Sequence, residues 1–170
     1  MITIRHETPA DHAAIREVNL AAFGQAIEAD LVDRLRATAE DFVSLVAIDD
    51  GAVVGHIAFS RVVVGDGASL VGSGLGPMAV LPERQRGGVG TQLVHAGLAM
   101  LRERGCPFVV VVGHPEYYPR FGFQPASGFG IRCQWDGIPD EVFMVWVLDA
   151  TRMAGVTGVA RYQQAFSEFT

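Results

Sequence analysis

A glycine-rich turn between an extended apolar segment and a helical pattern carries the clearest chemical signal in the sequence. Residues 85–90 read Gln-Arg-Gly-Gly-Val-Gly. Apolar residues recur at helical spacing from Val89 through Leu93 to Met100, so a helix is predicted to begin near Gly88. The first N–H groups of a helix lack intrahelical partners and carry a partial positive charge, and glycine lets a ligand approach the backbone closely. The turn therefore predicts a site for an anion such as a phosphate.

A second segment with chemical potential lies about 30 residues downstream. Residues 118–123 read Tyr-Pro-Arg-Phe-Gly-Phe, and Tyr117 precedes them. A phenol has a pKa of about 10, so at neutral pH it holds a proton that it can donate. Neighbouring residues of a helix point about 100° apart. Only one of the two tyrosines is therefore expected to face a reacting group. The alternative interpretation of Tyr118 is a core tyrosine in an aromatic cluster with Phe121 and Phe123.

Together these two segments resemble the motifs of the GNAT superfamily, the acyl-CoA-dependent N-acyltransferases. The turn lacks the Gly-Lys-Ser/Thr of a P-loop and the Gly-x-Gly-x-x-Gly of a dinucleotide site. It is similar instead to the Gln-x-x-Gly-x-Gly pyrophosphate motif of that family, and residues 118–123 are similar to its Tyr-x-x-x-Gly-Phe segment. The resemblance implies an α/β (α+β) fold with a mixed, mostly antiparallel twisted sheet, flanking helices and splayed central strands that admit acetyl-CoA.

The resemblance also assigns residues to roles. Backbone groups of the strand before the turn would bind the pantetheine arm, amides of the turn would bind the pyrophosphate, and Gln85 would brace the loop. The cofactor-binding residues implied in this way are Met78, Ala79, Val80, Gln85, Arg86, Gly87, Gly88, Val89, Gly90 and Thr91. Tyr118 would be the general acid that protonates the leaving thiolate, with Tyr117 as the competing candidate. Arg84 and Arg86 would meet phosphates or form a solvated turn.

The general base stays open at this point. Five titratable residues are conceivable, and a lone histidine on a strand, such as His56, is more often structural than catalytic. The candidates are Glu28, Asp30, His56, His114 and Glu116. Many GNAT proteins carry Asn in the segment where Gly113-His114 stands here. Many relatives also deprotonate the amine through water, so a dedicated base is not required.

The elements that must position these groups follow from periodicity and turn signals. Strands are predicted at Ile2 to Arg5, Val43 to Ile48, Val53 to Val64, Leu70 to Leu81, Phe108 to Val112 and Phe143 to Leu148. Helices are predicted at Pro9 to Phe23 with Thr8 as N-cap, at Ala26 to Thr38, at Gly88 to Arg104, and as a short helix near Pro115 that ends at Gly122. This order matches the GNAT plan over residues 1–148 and leaves 149–170 as a C-terminal extension.

Composition narrows the class of protein. The 170 residues suffice for one domain with a full core, and their 49% hydrophobic content favours a globular protein. The longest apolar runs have the length of a strand, so no membrane association is predicted. The two cysteines lack metal-ligand spacing, so no metal site is predicted. Because no signal peptide is recognisable either, a cytoplasmic location is predicted. The net charge of −6 argues against nucleic-acid binding and favours a cationic acceptor.

Three functions remain compatible with these features. The first is acetyl transfer from acetyl-CoA to a primary amine of a small molecule or peptide. The second is a catalytically weak module of the same fold that senses acyl-CoA, and the third is an unrelated α/β domain whose glycine turn is structural. The acceptor site is expected in the variable loops around residues 24–30, 65–72 and 126–140. Tyr162, Phe166 and Phe169 give the tail enough aromatic content to pack on the body or on a second subunit, so a homodimer is possible.

Overall fold

The computed structural model describes residues 1–67 and 69–168. Its strands are β1 (Thr3–His6), β2 (Val43–Asp49), β3 (Ala52–Val64), β4 (Leu70–Val80), β5 (Phe108–Val112), β6 (Gln124–Pro125), β7 (Ile131–Cys133), β8 (Phe143–Val147) and β9 (Gly158–Arg161). Its α-helices are α1 (His12–Phe23), α2 (Ile27–Thr38), α3 (Val89–Glu103), α4 (Ala150–Met153) and α5 (Ala165–Glu168). No helix in these ranges combines the length and the apolar character that a membrane span requires.

The strands form one mixed sheet in the order β1-β2-β3-β4-β5-β8-β6, and β9 joins both β3 and β7. Within that path β4 and β5 run parallel and the other pairs run antiparallel. Alternation along β2 places Leu45 in the core cluster that α3 packs against, and places Val46 in a cluster with residues of α1 and α2. The predicted fold class, a mostly antiparallel sheet flanked by helices, is confirmed.

The centre of the sheet opens between β4 and β5. These strands pair over three positions, from Ser73 with Val109 to Leu75 with Val111. Beyond Leu75, β4 continues to Val80 with β3 as its partner. One side of residues 76–80 therefore faces a gap in the sheet, and this gap positions the site described below.

Some helices and strands differ from the predicted ones, and interactions between neighbouring residues or the shortness of the element explain the differences. A 3-10 turn at Pro9–Asp11 precedes α1, because the Asp11 carboxylate folds back to accept from the Thr8 backbone N–H at 2.7 Å. The predicted short helix near Pro115 is a turn followed by a 3-10 helix at Tyr118–Phe121. The short strands β6 and β7 have no periodic signal of their own, since strands of two or three residues are too short to show alternation.

The chain after β8 returns to the sheet. β9 lies within the C-terminal extension, and its Arg161 pairs with Val63 of β3. Phe166 of α5 lies in a cluster with Leu31 and Leu35 of α2. Phe169 is outside the described residues.

We expect the tail to resist limited proteolysis. Trypsin should cleave slowly after Arg161, because the backbone there lies in a strand ladder. Cleavage after Arg104, at the exposed end of α3, gives the reference rate. The measurement is mass spectrometry of a trypsin time course. Rapid loss of residues 162–170 with unchanged stability and oligomeric state would show that the tail does not pack.

Candidate active site

A groove runs along the end of β4, the turn and the start of α3. Its volume is about 630 Å³. The residues that line this glycine-turn groove are Ala22, Phe23, Met78, Ala79, Val80, Arg84, Gln85, Arg86, Gly88, Gly90, Thr91, Tyr117 and Arg120. Strand backbone, helix N-terminus and cationic side chains thus surround one elongated space. Such a space suits a ligand with an extended arm and an anionic head.

The turn has the backbone geometry of an anion cradle. Gly88 is the N-cap of α3 with φ +87°, a left-handed conformation that glycine adopts without strain. Gln85 Nε2 donates to the carbonyl oxygen of Val80 at 3.0 Å and ties the loop to the end of β4. A Cβ on Gly90 would lie 3.2 Å from the Tyr117 hydroxyl and 3.7 Å from Met78 Cε. A side chain at position 90 would therefore press on the Tyr117 hydroxyl and fill part of the groove, and glycine avoids both effects.

Three arginines lie in the groove lining, in different electrostatic situations. Arg84 forms a salt bridge with Asp49, so part of its charge is already neutralised. Arg120 stacks over the Tyr117 ring at 4.8 Å. Arg86 adopts φ +64° in the turn and has no ion pair within residues 1–67 and 69–168. Arg86 and Arg120 thus supply the positive charge that an anionic ligand would meet.

Tyr117 and Tyr118 face different spaces. Their rings meet edge to face, with centroids 5.2 Å apart. The Tyr117 hydroxyl lies 3.3 Å from Thr91 Oγ1, on the groove side. Tyr118 is 6% exposed and lines a second cavity. Burial, with a smaller contribution from Tyr117, raises the pKa of Tyr118 far above its usual range, so its hydroxyl stays protonated at neutral pH.

The second cavity is lined by residues of both β4 and β5 and has a volume of about 750 Å³. We call it the aromatic cavity. Its lining consists of Phe23, Glu28, Leu75, Gly76, Pro77, Met78, Val111, Val112, Gly113, His114, Tyr118, Trp135, Ile138, Tyr162 and Phe166. Phe23 and Met78 line both spaces. The groove and the aromatic cavity therefore adjoin where β4 and β5 diverge.

The five candidate general bases lie in different parts of the structure. Glu28 and His114 line the aromatic cavity. Asp30 is bound to Arg16 at 2.8 Å and is not among the described residues of either lining. Glu116 is exposed, in a surface depression beside Tyr117. Two of the five candidates thus share a cavity with Tyr118.

His56 is a structural residue. It is fully buried on β3, where its Nε2 lies 2.8 Å from Ser44 Oγ and its Nδ1 lies 3.4 Å from Asn19 Nδ2. Because the amide of Asn19 donates, Nδ1 accepts and Nε2 carries the proton. His56 is not among the described residues of either lining. It is therefore a satisfied core histidine and not a candidate base.

We expect His56 to make stability depend on pH. Burial lowers the pKa of His56 to about 3, with Glu7 opposing and Arg36 adding to the shift, against about 6.5 in an unfolded chain. Between these values the unfolded chain binds the proton and the folded protein does not. Stability is therefore full above pH 6.5 and falls as the pH decreases, by up to about 1.4 kcal/mol per pH unit.

Urea denaturation at pH 7, 6 and 5 measures this slope. His56→Gln should flatten it, because the variant has no imidazole at this position to take up a proton on unfolding. Equal slopes in wild type and His56→Gln would contradict the assignment of a neutral buried His56.

The structure brings most of the sequence-predicted residues to one groove. Met78, Ala79, Val80, Gln85, Arg86, Gly88, Gly90 and Thr91 line it. Gly87 is exposed and Val89 packs in the core, so their side-chain positions are outside the lining. Tyr118 lines the aromatic cavity and is not among the described residues of the groove lining.

Sequence reasoning missed much of the aromatic cavity. Loops 24–30 and 126–140 contribute Glu28, Trp135 and Ile138 to its lining, and no described residue of loop 65–72 lines it. Tyr162 and Phe166 come from the tail, whose aromatic content was the signal that could have indicated them. Leu75 and Val111 line the cavity because β4 and β5 diverge beside them, and no local sequence pattern predicts where two strands diverge.

Comparisons with known proteins agree with this geometry. The family model described as Acetyltransferase (GNAT) domain matches residues 3–126. The chain is 40% identical to the uncharacterized N-acetyltransferase YhbS of Escherichia coli (strain K12) over 168 residues, which covers 98% of this chain and 99% of YhbS. It is also 40% identical to the uncharacterized N-acetyltransferase YjhQ of the same strain over 158 residues, covering 88% and 87% of the two chains.

Two solved structures of GNAT family proteins are also similar to this chain. The crystal structure of Escherichia coli YhbS in complex with CoA superposes with a TM-score of 0.90 at 37% identity, over 99% of this chain and 93% of that one. A GNAT family acetyltransferase from Brucella melitensis in complex with acetyl-CoA gives a TM-score of 0.78 at 38% identity, over 98% of each chain.

Proposed function

Because this chain belongs to the GNAT family of N-acetyltransferases, we propose that it transfers the acetyl group of acetyl-CoA to a primary amine of a small molecule or peptide. The observation that carries the proposal is the junction of the two spaces. A groove with an anion cradle adjoins a cavity that contains a buried phenol, and Phe23 and Met78 line both. Acyl donor and amine would therefore meet between β4 and β5.

The hydrogen-bond donors and the positive charge of the groove suit acetyl-CoA. Backbone N–H groups at the start of α3, together with Arg86 and Arg120, would bind the pyrophosphate. The free side of Met78 to Val80 offers backbone groups to the amides of the pantetheine arm. A backbone N–H of that strand would polarise the thioester carbonyl when acetyl-CoA is bound.

Tyr118 acts as the general acid in this proposal. The nitrogen lone pair of the amine forms a bond to the carbonyl carbon, the C–S bond breaks, and the sulfur leaves with the bonding electrons. The Tyr118 hydroxyl donates its proton to that sulfur. Burial disfavours the phenolate, so Tyr118 regains a proton from solvent in each turnover.

The nitrogen must also lose a proton. Glu28 and His114 lie in the same cavity lining as Tyr118, and either would accept the proton directly or through water. From either group the proton would pass to solvent at the open end of the cavity.

An acetyl-CoA assay with a broad panel of amines tests the proposal. Free CoA thiol, detected with a chromogenic disulfide, should appear only when acetyl-CoA and a suitable amine are both present. An acetyl-CoA-sensing module would bind acetyl-CoA without release of thiol for any amine. A turn that is merely structural would leave acetyl-CoA unbound, as measured by isothermal titration calorimetry.

A further inference from the structure

One wall of the aromatic cavity consists of three rings that contact one another at tilted and edge-on angles. The ring centroids of Trp135 and Tyr162 are 4.8 Å apart, those of Tyr162 and Phe166 are 5.0 Å apart, and those of Trp135 and Phe166 are 6.2 Å apart. All three side chains line the cavity. They come from the chain after β7 and from the tail, so the last part of the fold forms this wall. Stacked or edge-on contact with such rings favours a flat, apolar ligand group.

The rest of the lining is mainly aliphatic. Leu75, Pro77, Val111 and Ile138 belong to it, and Phe23 and Met78 mark the end that adjoins the groove. The cavity volume of about 750 Å³ is in the range that encloses a small organic molecule. A strongly hydrated acceptor, such as a sugar or a polyamine, would lose hydrogen bonds with water here without recovering them. An apolar body would instead gain from leaving water.

Charge in the cavity favours a cation. Among the described residues that line it, Glu28 carries the one carboxylate, and no arginine is present. Gln25 Nε2 donates to both carboxylate oxygens of Glu28, at 2.7 and 3.1 Å, which holds the negative group in place. An ammonium group arriving from water is attracted to this carboxylate, whereas a ligand that carries its own carboxylate is repelled.

We propose that the acceptor is a primary amine attached to a ring-bearing, apolar body, of the arylalkylamine class. This inference rests on the proposed acetyl transfer and specifies its acceptor. The ring occupies the space beside Trp135 and Tyr162, and the amine lies toward Glu28 and Tyr118. Aliphatic polyamines, aminosugars and amino acids with a free carboxylate are excluded as preferred acceptors.

Tryptophan fluorescence tests the ring site without any turnover. The chain has two tryptophans, of which Trp135 lines the cavity and Trp146 packs against Phe123 and Arg102. In Trp146→Phe, all tryptophan emission comes from Trp135. Titration with 2-phenylethylamine should produce a saturable change in intensity and emission maximum, and putrescine at the same concentrations should not.

Trp135→Phe is the matched variant and should lose the response while Trp146 still emits. If Trp146→Phe folds poorly, the difference between wild type and Trp135→Phe gives the same information. No response to 2-phenylethylamine in a protein that still binds acetyl-CoA would overturn this inference and leave the proposed function intact. Equal or stronger binding of putrescine would also overturn it.

Kinetics supply the second test. The kcat/KM for 2-phenylethylamine should exceed that for ethylamine by about 10-fold or more, since an apolar group in a fitted cavity contributes on this scale. Trp135→Ala should raise the KM for 2-phenylethylamine and leave that for ethylamine unchanged. Glu28→Gln should raise the KM for both amines.

The acyl group of the donor is the alternative occupant of the cavity, and the same assay separates the two occupants. If octanoyl-CoA were used faster than acetyl-CoA and displaced 2-phenylethylamine from the Trp146→Phe protein, the cavity would hold an acyl chain. That result would overturn the inference about the acceptor.

Discussion

Tyr118→Phe should lower kcat by about 10²- to 10⁴-fold, the usual contribution of a general acid, with little change in the Kd for acetyl-CoA. The substitution keeps the ring, which packs edge to face on Phe123 with centroids 5.6 Å apart, and removes only the proton that the sulfur would receive. Steady-state kinetics with a saturating amine and calorimetry with acetyl-CoA separate the two effects.

Tyr117→Phe is the matched control. It removes a hydroxyl that lies 3.3 Å from Thr91 Oγ1 at the groove, so we expect a small effect on acetyl-CoA binding and less than about a 10-fold effect on kcat, well below the general-acid range. If Tyr117→Phe lost turnover and Tyr118→Phe did not, Tyr117 would be the acid. If both variants kept full activity, the thiolate would leave unaided and Tyr118 would be a packing residue.

Gly90→Glu should abolish the binding of acetyl-CoA. The new side chain would project from the first turn of α3 toward Tyr117 and Met78, where it adds bulk and negative charge to the anion site. Acetyl-CoA at 100 times its Kd stabilises the wild type by about 2.7 kcal/mol, which for this chain length corresponds to a rise in Tm of about 5–10 °C. The variant should show no rise.

Position 90 is a sharper test than position 88. Gly88→Glu should also block binding, but Gly88 has φ +87°, so a side chain there strains the backbone and confounds stability with affinity. Gly90 is helical, and a glutamate in the first turn interacts favourably with the helix dipole. Gly128→Glu introduces the same residue at an exposed site without neighbours and should keep the full Tm rise. Undiminished acetyl-CoA affinity in Gly90→Glu would remove the main support for the groove.

The sequence predicted those parts of the molecule that depend on neighbours along the chain. The turn at 85–91 and the segment at 118–123 are continuous motifs, and α3 and β5 have strong periodic or apolar patterns. Local reasoning did not show that His56 is enclosed by Ser44 and Asn19, because that environment arises from β2 and α1 folding against β3. The candidate base could not be chosen from residue type alone for the same reason.

The cavity wall formed by Trp135, Tyr162 and Phe166 could not be predicted from local sequence patterns either. Trp135 and Tyr162 are separated by 27 positions in the chain and meet because β9 pairs with β7 as well as with β3. That pairing is between distant segments of three or four residues, which carry almost no periodic signal. The aromatic residues of the tail indicate that the tail packs on another part of the protein. Which part it contacts depends on the order of the strands in the sheet.

The gap in the sheet has one further consequence, for solubility. Past Leu75 one side of β4 is an unpaired strand edge, the feature through which β-proteins aggregate when another strand adds to it. Here the edge is recessed between β3 and β5, and Pro77 interrupts its row of N–H donors. A strand from another molecule would have to enter between β3 and β5 to pair there. We therefore expect this edge to contribute little to aggregation, although it is unpaired.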